Sequence, residues 1–98
     1  MNYQVEMSKQ AEENLEHIAQ YLEDNWSSKA KTDFLLQISE HLQLLEIMPF
    51  MNRKSVKYSS LRECVVNRNT ILYYRISDDL VEVITIQNSK KDLDNLDF

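Results

Sequence analysis

The 98-residue sequence contains no glycine, one proline and one cysteine. Without glycine there is neither a dinucleotide fingerprint nor a Walker loop, because both need backbone that approaches phosphate closely. A lone cysteine, Cys64, excludes an intramolecular disulfide framework and fits a reducing compartment. No apolar run approaches the ~20 residues of a membrane span. The opening MNYQVEMSKQAEENL has neither the basic nor the apolar region of a signal peptide, so the expected location is the cytoplasm, with no membrane partner. Positive charge is also scarce overall: 11 basic residues stand against 16 acidic ones, a net charge of −5. That balance opposes tight nonspecific binding to nucleic acid, whose affinity comes mainly from phosphate neutralisation.

The positive charge that is present is concentrated. Arg53–Arg75 holds Arg53, Lys54, Lys57, Arg62, Arg68 and Arg75 with one acid, Glu63, a local net of +5. The segments before and after it are acidic, at −6 and −4. Such an island suits an anionic or acidic partner. It equally suits a cationic strand pair neutralised by acidic helices, and charge alone favours this plainer reading.

Periodicity gives the architecture. Tyr3–Met7 alternates as a half-buried strand. Ser8 is placed to cap a helix in which Ala11, Leu15, Ile18, Ala19 and Leu22 recur on one face, ending near Asp24–Asn25. Ser27-Ser28 starts a second helix, with Phe34, Leu35, Ile38, Leu42 and Leu45 in its stripe, which must stop before Pro49. Trp26, at the corner, is expected to plug the core between the two helices. A polar, basic loop follows, then three strands: Leu61–Val66, Ile71–Ser77 and Leu80–Gln87. In the first hairpin turn, Asn67-Arg68-Asn69-Thr70, asparagine is expected to stand in for glycine as the left-handed residue. The fold class is α+β, in the order β-α-α-β-β-β, with a helical hairpin on one face of a mostly antiparallel four-stranded sheet. The 98 residues form one domain, with residues 88–98 as a polar, acidic tail carrying Leu93, Leu96 and Phe98.

The residues offer little for metal chemistry. His17 and His41 fall off the apolar faces of two different helices, and Cys64 has no partner at ligand spacing, so neither a metal nor a cofactor is expected. Metal-free phosphodiester cleavage needs cations to hold phosphate and groups to move protons. Lys54, Lys57, Arg62 and Arg75 supply the cations; Tyr58, Tyr73 and Tyr74 are the thin choice for proton transfer. Strand alternation puts Tyr73 with Arg75 on the open face, and Tyr74 with Leu72 and Ile76 against the helices. Binding outranks catalysis for this set.

In this order, the opening YQVEMSKQAEENLEHIAQYLEDNWS, the FLLQISEHLQLLEIMPF helix, the LREC strand, the ILYYRISDDLVEVITI hairpin and the QNSKKDL tail resemble the RelE/ParE superfamily of toxins from type II toxin–antitoxin systems. The resemblance is greater to the ParE-like branch, through the long helical hairpin, the NWS corner and the QN-x-KK run. It implies a small cytoplasmic toxin neutralised by a cognate antitoxin, in a hetero-oligomer, with DNA gyrase as target. The departures are Ile86 where that branch usually has arginine and Ser89 where it has proline. The alternative branch cleaves mRNA on the ribosome, and there Arg62 matches a sheet arginine; the segment after Gln87 lacks that branch's tyrosine or histidine. An inactive interaction module of the same fold is the third reading. The surface implied for target or antitoxin comprises Lys54, Lys57, Arg62, Arg68, Tyr73 and Arg75, with Lys90 and Lys91 from the tail. Arg62 is the one catalytic candidate if the protein is a ribonuclease.

Overall fold

A computed structural model describes residues 2–88. The order is β1 (Gln4–Met7), α1 (Lys9–Asn25), α2 (Ser28–Ile47), β2 (Arg62–Asn67), β3 (Thr70–Ser77) and β4 (Leu80–Asn88). The expected architecture is present, with a mixed sheet of order β1-β4-β3-β2. β1 pairs parallel with β4, and the β2–β3 and β3–β4 pairs are antiparallel. The α-hairpin is the crossover that carries the chain from one edge of the sheet toward the other. No helix among the described residues is long and apolar enough to cross a membrane.

Both helices start as the serines dictate. Ser8 Oγ accepts from Ala11 N at 3.0 Å and Ser27 Oγ from Ala30 N at 2.9 Å, satisfying donors that the first turn leaves open. Ser8 also donates to Ile84 O at 2.6 Å, which ties the start of α1 to β4. The two helices lay Ala11, Ile18, Leu22, Phe34, Ile38 and Leu45 on Cys64, Val66, Leu72, Tyr74, Val81, Val83 and Ile86 of the sheet. Burial of this apolar face, at about 25 cal/mol per Å2, is what holds the hairpin on the sheet.

β1 pairs only with Leu80–Val83, so the outer edge of β4 is bare beyond Met7. Asn14 of α1 takes over: its Oδ1 accepts from Ile86 N at 3.2 Å and from Thr85 Oγ1 at 2.9 Å. A bulge at Ile84, where the pairing passes from Tyr73–Thr85 to Tyr74–Val83, resets the β4 alternation so that Val83 and Ile86 both face the core.

Two local expectations are corrected. Trp26 is 39% exposed and does not plug the core. It occupies the C-cap of α1, its N–H bonded to Leu22 O at 2.9 Å, while the small Ala30 and Leu22 are the buried residues at that corner. The left-handed residue is not an asparagine of the first hairpin. Among the described residues it is Asp78, at φ 54°, in the β3–β4 turn. Aspartate tolerates that region because its short polar side chain bonds locally. In the β2–β3 turn the asparagines act through side chains: Asn67 Oδ1 accepts from Asn69 N at 2.9 Å.

Candidate functional site

The basic island is split into two sites. β2 begins at Arg62, opposite Tyr74, so Arg75–Ser77 of β3 have no strand neighbour on that side. Beside this bare edge lies a cavity of about 280 Å3, lined by Phe50, Lys54, Ser60, Arg62, Tyr74 and Arg75. A second cavity, of about 240 Å3, lies at the far end of β3 and is lined by Lys57, Arg68, Ile71, Tyr73, Gln87 and Asn88. Thus Lys54, Arg62 and Arg75 come together, and Lys57, Arg68 and Tyr73 come together elsewhere. Lys90 and Lys91 lie outside the described residues.

The first cavity owes its wall to the turn after α2. Tyr74 is fully buried, and its hydroxyl donates to Pro49 O at 2.6 Å and accepts from Asn52 Nδ2 at 3.2 Å. Arg62 Nη1 donates to Asn52 O at 2.6 Å, with its guanidinium over the Phe50 ring at 5.1 Å. Burial pushes the Tyr74 phenol above its ordinary range, although the Asn52 bond and the Arg62 charge oppose it. A neutral phenol fixed by two partners is an anchor. Arg75 is paired with Glu82, its Nη2 2.7 Å from Oε1. Lys54, exposed and bridged by its backbone to Arg62, has no carboxylate partner among the described residues.

The second cavity is built on the open face. Tyr73, placed there by alternation as expected, is nevertheless only 5% exposed, because Tyr58 packs edge-on against it at 4.9 Å. Lys57 Nζ donates to Gln87 Oε1 at 2.8 Å, and Gln87 Nε2 donates to Tyr58 Oη at 2.7 Å. The Gln87 bond lowers the Tyr58 phenol from its ordinary value; burial opposes this, and Lys57, 5.3 Å from the ring centre, adds a lesser lowering. Gln87 is the member that sequence reasoning did not place in the site, although it shares a face of β4 with Thr85. Cys64 is buried in the core, its thiol pushed up to about 11 by burial, and it belongs to neither cavity.

Residues 5–93 match the family described as the ParE toxin of the type II toxin–antitoxin system, parDE. No curated protein matches the sequence. Among solved structures, a chain of the chromosomal ParDE toxin–antitoxin system from P. aeruginosa superposes with a TM-score of 0.77 at 11% identity, covering 90% of this chain and 97% of that one. The RelBE2 toxin–antitoxin complex from Mycobacterium tuberculosis gives 0.61 at 15% identity, with 91% and 100% covered. The DinJ-YafQ toxin–antitoxin complex from E. coli gives 0.62 at 15% identity, with 90% and 93% covered. At these identities the likeness shows a shared fold.

Proposed function

The chain belongs to the ParE toxin family of type II toxin–antitoxin systems, and from that premise we propose that it arrests growth in the cytoplasm by binding DNA gyrase and is held inactive by a cognate antitoxin. The observation that carries a binding role is how Arg62 is used. Its guanidinium donates through Nη1 to Asn52 O and lies over the Phe50 ring, so it is held in the cavity wall with its other N–H groups available to an anionic partner. Tyr74, across from it, is buried and bonded twice, a poor proton carrier. The cavity therefore offers cations, an aromatic rim and three β3 residues with no strand neighbour on the β2 side, which suit an extended acidic peptide: strand-edge hydrogen bonds for affinity, charge for orientation. The antitoxin's acidic arm is the occupant proposed for it.

One observation favours a second reading, a metal-free ribosome-dependent mRNA endonuclease. The Tyr58 phenol, lowered by Gln87 and set beside Lys57, is the kind of group that proton transfer at a phosphodiester requires. Expression without antitoxin separates the readings. Growth arrest with intact mRNA and an induced DNA-damage response is expected for the gyrase reading. Codon-phased mRNA cuts establish the endonuclease instead, and normal growth defeats both.

A further inference from the structure

The apolar residues of α2 do not all face the core. Ala30, Phe34, Ile38 and Leu45 are buried in it, whereas Leu36, Leu44, Ile47 and Met48 recur at helical spacing on a neighbouring stripe that meets solvent. The turn after the helix extends this stripe. Met51 N–H bonds to Met48 O at 3.2 Å, which folds Met51 back toward the helix end. Phe50 is steadied by the Tyr3 ring, the two centres 6.3 Å apart, and by the Arg62 guanidinium. These six large side chains are each between 40% and 59% exposed. Exposed apolar residues are ordinary when scattered, but a contiguous patch of them marks an interaction surface.

The charges at its two ends indicate what covers it. Glu40 lies within the stripe, one helical turn before Leu44. Lys54 follows Met51 at the other end of the patch. Both are exposed, and among the described residues neither belongs to an ion pair. A face that is acidic at one end, basic at the other and apolar between is complementary to itself when turned about a two-fold axis. We propose that it is the interface of a homodimer, with Ile47 and Met48 near the axis and Glu40 of each copy against the partner's Lys54 at the rim. Methionine and phenylalanine are enriched in interface cores, and charges are kept to their rims, which is the arrangement here. An acidic partner laid along the stripe would instead be repelled by Glu40. Phe50 and Lys54 also line the first cavity, so a partner seated there and a second copy exclude one another.

Sedimentation velocity of the full-length chain, free of antitoxin, tests this. It should show a monomer–dimer equilibrium in the micromolar range. Ile47→Glu should weaken the dimer by about tenfold or more, because it puts a charge at the apolar centre. E40K should weaken it several-fold, and adding K54E to E40K should restore it, because the swap re-forms both rim pairs. The charge pair lies outside the core, so these variants keep the fold, which circular dichroism checks. A chain that stays monomeric at hundreds of micromolar would overturn the proposal. So would a dimer indifferent to Ile47→Glu, or one in which K54E fails to rescue E40K. Amide protection of Leu44 and Ile47 that arises only on adding antitoxin would assign the face to that partner and overturn it equally.

Discussion

Arg62 and Tyr74 face each other across β2 and β3 and hold the same residue from opposite ends: Asn52 gives its carbonyl to Arg62 and its side-chain amide to Tyr74. With Pro49 O as a further acceptor for Tyr74, the pair fixes the turn that leaves α2 and thereby places Phe50 and Lys54 at the bare edge of β3. The candidate surface at the β3 edge is thus positioned by one buried and two part-buried hydrogen bonds.

Tyr74→Phe should lower stability by about 1–2 kcal/mol, since it strands a buried carbonyl and an amide without removing the ring. Urea unfolding with an unchanged slope checks this. Arg62→Ala should cost a comparable amount and also loosen the 49–54 turn, seen as faster amide exchange there.

Asn14→Ala should destabilise by about 1–3 kcal/mol, because Ile86 N–H and the Thr85 hydroxyl lose their acceptor on an edge that β1 does not reach. Asn14→Asp, which keeps an acceptor at that place, should retain more of the stability in the same assay.

Burial raises the Cys64 thiol from 9.0 to about 11. An acid whose folded value is raised is favoured in its protonated form, so its contribution is present below pH ~9 and is lost progressively between pH ~9 and ~11. Stability should fall over that window by about 2–3 kcal/mol, and Cys64→Ala should flatten much of the slope. Tyr74, also raised, slopes the same way at higher pH, while Tyr58, lowered, opposes it. At neutral pH the native thiol should resist alkylation until the protein unfolds.

Much of this molecule was legible before its structure. The two serine caps, the apolar stripes and the stop before Pro49 fix the helical hairpin because capping and burial are local rules that act within one turn. Strand alternation correctly divided Tyr73 from Tyr74. What it did not reveal depends on residues distant in sequence. Tyr58 covers Tyr73 from a loop, so the open-face tyrosine is buried. β2 stops short of Arg75, so the basic island becomes two sites. Trp26 was misjudged because a large aromatic between two helices suggests a core position, whereas its backbone is committed to the α1 cap. The first hairpin turn was expected to need a left-handed asparagine, yet side-chain bonding by Asn67 served instead and Asp78 took the positive φ.

If the β3 edge is the antitoxin's dock, Lys54→Glu should weaken the toxin–antitoxin complex more than Arg75→Glu, because Arg75 is already engaged by Glu82. Losses of about tenfold for Lys54→Glu, shrinking as salt is raised, are expected for an exposed charge reversal. Isothermal titration against the antitoxin at two ionic strengths gives the answer.

The most direct measurement is plasmid supercoiling by DNA gyrase in the presence of the purified chain. Inhibition of supercoiling with accumulation of cleaved DNA, relieved by adding the antitoxin, is the result expected of a ParE toxin that acts by binding. Unimpaired supercoiling at saturating protein, together with cleavage of mRNA in a translating ribosome mixture, would contradict it.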